Sequence, residues 1–156
     1  MWFDKTMSES IKNIAAAQLK VQKEIKDISK DSTGYGYKYT SFDKLVQYLR
    51  PLLAKHGISF IQMPVGDKYD DGKGTVGLQT LYMHAESGEW ITNAIKSPVA
   101  ESKGMNKYQS IGSAITYFRR YSLSSFVGIA SEEDVDAASK ESPGRKPTTN
   151  KGEDEW

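Results

Sequence analysis

Cysteine is absent from this 156-residue chain, and histidine occurs only twice. Without thiols the protein has no disulfide framework, no thiol nucleophile and no thiolate-bound metal, and His56 and His84 lack the spacing of a metal-binding pair. No apolar run approaches the roughly 20 residues that a membrane-spanning helix needs, and the first ten residues, MWFDKTMSES, lack the pattern of a signal peptide. We therefore expect a cytoplasmic protein that has no membrane contact and no cofactor.

The glycine-rich loop from Gly66 to Thr75 falls short of a phosphate-binding motif. That motif has four residues between its first glycine and a Gly-Lys pair, which is followed by Ser or Thr. Here five residues separate Gly66 from Gly72, and Gly74 follows Lys73, so the hydroxyl that would bind magnesium is missing. No serine lies in the setting of a nucleophile elbow. These observations argue against nucleotide hydrolysis and serine catalysis, and we expect a protein that is not an enzyme.

Charge is distributed unevenly, although the formal net charge is only +1. Residues 1–130 contain 17 Lys and Arg against 12 Asp and Glu, whereas residues 131–156 contain 4 against 8. From about Ser139 onward the chain holds Pro, Gly, Thr and charged residues with almost nothing to bury, which is typical of disorder. We expect a mildly basic domain over residues 1–138 and a disordered acidic tail over residues 139–156. Such tails contact partners or shield basic surfaces.

The spacing of apolar residues predicts two helices before the first strand. Apolar side chains three or four positions apart predict a helix from about Ser8 to Ser29. A second series begins after Thr40, which we expect to cap its helix together with Asp43. Pro51 is expected to kink or divide that helix, and Gly57 is expected to end it.

Three strands and a long helix are predicted next. The strands run over about Ile58–Met63, Thr75–Ala85 and Glu89–Ser97. Their connections favour an antiparallel meander. Asn106 and Gln109 form a capping pair for a helix that runs to about Gly128. The order of elements indicates an α+β fold, in which a small antiparallel β-β-β sheet is packed by a long helix and preceded by N-terminal helices.

The stretch QSIGSAITYFRRYSL places two adjacent arginines, Arg119 and Arg120, inside this last helix. One face of the helix is apolar and can cover the sheet, and it consists of Ile111, Ala114, Ile115, Phe118 and Phe126. A second stripe is polar and mostly small, and it consists of Gln109, Ser113, Thr116, Arg120 and Ser124. Small hydroxyl side chains would let a phosphate backbone approach, while Arg120 supplies charge and a fork of donors. The alternative is an arginine that is paired inside the protein or faces solvent.

Two segments of the chain resemble the Erf family of phage single-strand annealing proteins, named for essential recombination function. The first is NKYQSIGSAITYFRRYSLSSFVGIASEEDVDAA, residues 106–138, which contains the arginine pair, a Gly-Ile step and an acidic run. The second is YKYTSFDKLVQYLRPLLAKHGISF, residues 37–60, which has an aromatic-lysine-tyrosine start. The resemblance covers about Ile11–Ala138. Tyr108 at the helix start and Val135 in the acidic run depart from the family pattern.

The resemblance implies a β-β-β-α core that binds single-stranded DNA and anneals complementary strands without ATP in phage homologous recombination. It also implies assembly into a homo-oligomer, as a ring or a helical filament. The residues expected to contact the DNA backbone are Arg119, Arg120, Lys38, Lys103 and Lys107, beside the hydroxyl of Thr116. Tyr37 and Tyr39 are expected to stack on bases or to wedge between them. The tail, which ends in Glu-Asp-Glu-Trp, is expected to dock on a single-strand binding protein or an exonuclease, or else to compete with DNA.

Two other functions remain open at the level of the sequence. A metal-dependent nuclease would need a cluster of carboxylates. Two clusters are available, Asp67, Asp70 and Asp71 or Glu132, Glu133, Asp134 and Asp136. An RNA chaperone or a structural assembly protein would not need such a cluster. For the individual side chains, the tyrosines have the alternative of packing on the sheet, and the lysines that of lying in a solvated loop.

Overall fold

Three helices and a three-stranded sheet form the architecture of the computed structural model, which describes residues 5–34, 37–66, 74–99 and 104–132. The helices are α1 (Lys12–Glu24), α2 (Phe42–Lys55) and α3 (Lys107–Val127). The strands are β1 (Ser32–Thr33), β2 (Lys38–Tyr39), β3 (Ile58–Val65), β4 (Thr75–His84) and β5 (Trp90–Pro98). β3, β4 and β5 form an antiparallel meander, and β1 and β2 form a separate antiparallel pair. The expected α+β fold, with its small sheet packed by a long helix, is confirmed.

The main core lies between the sheet and the three helices. Its largest cluster joins α1, α2 and the C-terminal half of α3 through buried apolar side chains that include Ile14, Leu49 and Leu123. Tyr82 of β4 is fully buried and stacks on Phe126, with the ring centroids 3.6 Å apart. Each side chain of this size contributes about 1.5–3 kcal/mol by leaving water. Burial in this cluster therefore holds the helices against the sheet.

A second, smaller cluster lies under the N-terminal half of α3. Phe118 packs there with Val76 and Leu78 of β4, and the half-buried Ile111 packs against them. Phe118 and Ile111, together with Phe126 in the main core, belong to the apolar face that was expected for this helix. α3 therefore contacts the sheet through both clusters, mainly at β4.

α1 is shorter than the helix expected from about Ser8 to Ser29. The residues before it pair with β5 instead. The Ser8 N–H donates to the Trp90 carbonyl (2.9 Å), and the Thr92 N–H donates to the Thr6 carbonyl (2.8 Å). The chain therefore runs along the edge of the sheet before it enters the helix. Because of this pairing, α1 begins at Lys12 and not at about Ser8.

Glu89, in the turn between β4 and β5, caps the start of α1. Its carboxylate accepts the backbone N–H groups of Asn13 (2.7 Å) and Ile14 (2.8 Å) and the hydroxyl of Ser10 (2.8 Å). Burial raises the pKa of Glu89, but the hydrogen bonds to its carboxylate outweigh burial and hold the pKa below its usual value. The sequence does not reveal this cap, because Glu89 lies 76 residues after Asn13.

α2 begins and continues differently from the expectation. Ser41, and not Thr40, is the N-cap, because the Ser41 hydroxyl accepts the Lys44 N–H (3.4 Å) and Thr40 is buried. Of the two expectations for Pro51, a kink or a division, the division is wrong because the helix runs through this residue. Pro51 removes the donor that would pair with the Gln47 carbonyl. Both residues are exposed, so water can satisfy that carbonyl.

The local signals at the C-terminal end of α2 and at both ends of α3 are confirmed. The Asn106 side chain accepts the Gln109 N–H and the Gln109 side chain accepts the Asn106 N–H, both at 2.9 Å, which makes a capping box. Gly57 after α2 and Gly128 after α3 have φ values of 72° and 78°, in the left-handed region that favours glycine. Within the described residues, no helix is long and apolar enough to cross a bilayer.

Candidate nucleic-acid interface

The two halves of α3 differ in exposure. The N-terminal half carries a strip of mostly polar or small side chains that we call the exposed stripe: Tyr108, Gln109, Gly112, Ser113, Thr116 and Tyr117. From Phe118 to Val127, only Ser125 is exposed. The exposed stripe therefore belongs to the half of α3 that packs on the smaller cluster, while the other half lies in the main core.

The polar stripe expected along the whole of α3 is interrupted. Its first three members are exposed, but Arg120 and Ser124 are only 5% and 3% exposed. They are covered where β2 meets the chain that follows α3, since Tyr39 and Glu132 pair in an antiparallel bridge. The expectation of one continuous stripe was therefore wrong beyond Thr116.

Buried Arg120 is neutralised inside the protein. Its Nη2 forms an ion pair with the Glu132 carboxylate. Its Cζ lies 4.4 Å from the ring centroid of Tyr39 and 4.9 Å from that of Tyr117. Charge pairing is thus combined with cation–π attraction, which strengthens where water is excluded. The sequence left open whether Arg120 contacts a phosphate, is paired inside the protein or faces solvent. The structure shows the internal pair.

Tyr121 completes an arginine–tyrosine cluster that consists of Arg120, Glu132, Tyr39, Tyr117 and Tyr121. The Tyr121 hydroxyl donates to the second carboxylate oxygen of Glu132 and lies 2.7 Å from the Tyr117 hydroxyl. Burial, and next the hydrogen bond to Glu132, raises the pKa of Tyr121, so its phenol stays neutral and remains a donor. Sequence reasoning missed this cluster, because only the return of the chain after α3 brings Glu132 to Arg120.

Tyr37 and Tyr39, which were predicted to contact bases, lie together on the hairpin. Their ring centroids are 5.9 Å apart, and the ring planes are tilted by 47°. Tyr37 is half-buried, and burial followed by the negative charge of Glu132 raises the pKa of its phenol. Through Tyr39, the structure brings this aromatic pair to Arg120, although hairpin and helix are far apart in the sequence.

Arg119 lies at a different boundary, where α3 meets β3 and α2. Its Nε donates to the side-chain oxygen of Gln62 (3.1 Å), and the Gln62 amide donates back to the Arg119 carbonyl (3.0 Å). Its Cζ lies 4.2 Å from the ring centroid of Phe42. Arg119 is half-buried and fastens α3 to both neighbours.

The remaining predicted contact residues differ in position. Lys38 is exposed on the β1–β2 hairpin, and Lys107 is exposed as the first residue of α3. Thr116 is exposed in the middle of the stripe, and its hydroxyl donates to the Gly112 carbonyl (3.1 Å). Lys103 lies outside the described residues. The two described lysines thus lie on the two elements that build the cluster and the stripe.

The acidic clusters considered for a metal fall almost entirely outside the described residues. The members outside are Asp67, Asp70, Asp71, Glu133, Asp134 and Asp136. In the four described ranges, no group of three His, Asp or Glu side chains could hold a metal ion. Glu132 is described, and it is engaged by Arg120 and Tyr121.

Comparison of the sequence with known protein families gives a match. A sequence model of the ERF superfamily matches residues 14–155. The match includes nearly all of α1 and every later element, and it continues past the last described residue. Searches of curated proteins and of solved structures found no match.

Proposed function

Because this chain belongs to the ERF superfamily, a family of recombination and single-strand annealing proteins, we propose that it binds single-stranded DNA and anneals complementary strands without ATP. The observation that carries this proposal is the family match, which spans residues 14–155 and so includes the sheet and the exposed stripe of α3. Annealing makes and breaks no covalent bond. The protein therefore acts by binding alone and needs no catalytic residue.

In this proposal the DNA backbone follows the exposed stripe of α3. Gly112, Ser113 and Thr116 are small and exposed, so a phosphate can approach the helix closely. Lys107 at the start of the helix and Lys38 on the hairpin supply positive charge. Contacts to phosphates carry no sequence information, which suits a protein that must accept any complementary pair.

Arg120 then acts beneath the surface and not on a phosphate. Its guanidinium lies against Tyr39 and Tyr117, and Tyr117 is 40% exposed and also belongs to the stripe. The arginine therefore holds aromatic rings in place beside the proposed path of the DNA, with Tyr37 next to them. Stacking of a base on such a ring is worth about 1–3 kcal/mol. Arg119 contributes by holding α3 against β3 and α2.

In this proposal, annealing depends on neutralisation of the phosphate charges and on repetition of the exposed stripe in an oligomer. Two single strands repel each other through their phosphates, and bound lysines reduce this repulsion while they release counterions. A homo-oligomer, as a ring or a filament, would repeat the stripe, so that modest affinity per copy becomes strong binding through avidity. The acidic tail over residues 139–156 would then dock on a recombination partner or compete with DNA for the lysines.

A negative charge placed on the exposed stripe tests this path. A Cβ added at Gly112 meets no atom within 4 Å, so Gly112→Asp and its matched control Gly112→Asn should both fold. We expect the wild type to accelerate the annealing of two complementary oligonucleotides with no nucleotide and with excess EDTA. Gly112→Asp should slow this roughly five-fold, the effect of about 1 kcal/mol between like charges 4 Å apart in water. Gly112→Asn should retain most of the rate.

The possible outcomes distinguish a failure of the annealing function from a failure of the proposed DNA path along α3. If both variants keep the full rate, the DNA path lies elsewhere on the protein. Equal losses in both would indicate that bulk, and not charge, matters at this position. No acceleration by the wild type would contradict the annealing function, and DNA cleavage that depends on added Mg²⁺ would then favour a nuclease.

A further inference from the structure

A surface cavity of about 250 Å³ lies beside the exposed stripe, between the N-terminal half of α3 and the strands β4 and β5. Val76, Val99 and Phe118 form apolar parts of its wall. Ser97 and Ser113 add hydroxyl groups. None of the described residues that line the cavity carries a charged side chain.

Ser110 contributes a hydroxyl that lacks a partner. The residue lines the cavity and is 8% exposed, and its Oγ has no hydrogen-bond partner among the residues that the structure describes. Its backbone N–H donates to the Asn106 carbonyl (3.0 Å), so the helix itself is satisfied. A buried hydroxyl without a partner destabilises a fold, and such groups are usually completed by water or by a ligand. The Oγ is shielded from solvent, so a ligand in the cavity can satisfy this group once the Ser110 side chain rotates about χ1.

The lining selects the chemical class of that ligand. A phosphate would need a cation or several N–H donors, whereas the described side chains here are hydroxyl, aliphatic and aromatic. A nucleobase has apolar faces and polar edges, which match this lining. A cavity of about 150 Å³ is enough for benzene, so the observed volume of about 250 Å³ has room for one base.

We propose that this cavity receives one nucleobase of the bound strand in each copy of the protein, an inference that rests on the function proposed above. Tyr117 and Ser113 connect the two sites, because both lie in the exposed stripe and also line the cavity. A backbone on the stripe therefore passes the cavity, and one base turns inward against Tyr117. The Ser110 hydroxyl, rotated toward the cavity, then pairs with the polar edge of that base.

A base pocket suits an annealing protein only if the base can leave. Stacking on an aromatic side chain strengthens binding by roughly 5- to 150-fold per base. The free energy of stacking one base-pair step in a DNA duplex is of the same order. Pairing with a complementary strand can therefore compete with the cavity for the base. The cavity thus holds one base of the single strand and leaves its neighbours free to pair.

A cavity-filling substitution tests the proposal. Ala114→Leu adds bulk inside the cavity, and Ser125→Leu adds similar bulk at an exposed position of the same helix as the control. Fluorescence anisotropy with the full chain measures binding to oligothymidylate and to an abasic oligonucleotide of the same length. We expect Ala114→Leu to reduce the preference for oligothymidylate by roughly 5- to 150-fold and to leave the abasic affinity unchanged. Ser125→Leu should keep the wild-type preference.

Ser110→Ala is a second variant, and it cannot overpack the site. Loss of an unpaired hydroxyl should not lower the unfolding temperature of the free protein. It should weaken binding of oligothymidylate by roughly 2- to 10-fold, the worth of one hydrogen bond. Unchanged binding in this variant would contradict the role assigned to Ser110.

The controls distinguish failure of this inference from failure of the proposed function. If the wild type binds neither oligonucleotide, the proposed function fails and the base pocket fails with it. If the wild type binds, but Ala114→Leu weakens both strands equally or neither, only the base pocket is overturned. A change in assembly size by sedimentation, without a change in preference, would also overturn it, because the cavity would then hold a neighbouring copy.

Discussion

Arg120 keeps a permanent charge at a position that is 5% exposed, so its neighbours must offset the loss of water. Glu132 compensates the charge, and the rings of Tyr39 and Tyr117 add cation–π attraction. Removal of one member of a buried ion pair leaves the other charge uncompensated, whereas replacement of both can be nearly neutral. Arg120 and Glu132 therefore form one energetic unit.

The two members of this pair should behave non-additively. We expect Arg120→Met and Glu132→Gln each to lower the free energy of unfolding by about 3 kcal/mol, and the double variant to lose clearly less than the sum. Urea denaturation of the four proteins measures the coupling. The exposed pair of Lys55 and Glu24, at 2.7 Å, is the control and should show little coupling. Additive losses at positions 120 and 132 would show that the two side chains contribute to stability independently of each other.

The sequence alone shows that Arg120 needs an anion or solvent, because an arginine does not lose its proton. It does not show which anion. Glu132 is visible as the start of an acidic run, but its meeting with Arg120 depends on the turn at Gly128 and on the hydrogen bond from the Thr40 N–H to the Ser131 carbonyl (2.8 Å). A contact of this range leaves no local pattern in the residues.

At the scale of elements, α1 depends on the β4–β5 turn for its start. Its own N-cap residue, Ile11, has no side chain that can cap, and Glu89 accepts the N–H groups of Asn13 and Ile14 instead. The ends of α2 and α3 were predictable to within a residue or so, because their capping residues are adjacent in sequence. The start of α1 was not, because its cap comes from another element.

Glu89→Gln should lower the unfolding temperature at neutral pH, because an amide replaces a charged cap at the positive end of a helix. The folded protein lowers the pKa of Glu89. The stabilisation is therefore fully present above the pKa of an unfolded glutamate, about 4.3, and is lost as the pH falls through the lower folded pKa. The difference in unfolding temperature between wild type and variant should therefore be larger at about pH 7 than at about pH 3.

Circular dichroism during heating, at both pH values, measures this difference. Glu86→Gln, an exposed position in the same turn, is the matched control and should change little at either pH. A difference that is the same at both pH values would show that the charge of Glu89 does not support α1.

At the scale of the whole molecule, the proposed DNA path makes binding depend on salt in a residue-specific way. Each phosphate that a lysine neutralises contributes about −0.7 to the slope of log K against log salt for single strands. Lys107→Gln should therefore reduce the magnitude of that slope by about 0.7. Lys55→Gln should leave it unchanged, since Lys55 is paired with Glu24 (2.7 Å).

Anisotropy titrations of single-stranded DNA over a range of salt concentrations provide both slopes. Equal changes in the two variants would mean that net charge, and not a path along α3, governs the affinity.

The range of the interactions explains how much of the molecule was predictable. The β3–β4–β5 meander and the apolar face of α3 follow from periodicity and from connections within one stretch of chain. The prediction that the polar stripe continues over the second half of α3 was wrong, because the hairpin and the chain after α3 bury Arg120 and Ser124. The cavity that contains Ser110 was not predicted, because it forms where α3 meets β4 and β5.

α3 runs without a break from Lys107 to Val127, so its buried and exposed halves share one helical phase. Each residue of an α-helix rotates the next by about 100°. A residue inserted between Tyr117 and Phe118 would leave the buried half in the core and would turn the N-terminal half by that angle. The exposed stripe would leave its present side, and Ile111 would turn away from β4. Evolution can therefore exchange side chains along this helix, but a change in its length between the two halves would displace both the exposed stripe and the packing of its half on the sheet in a single step.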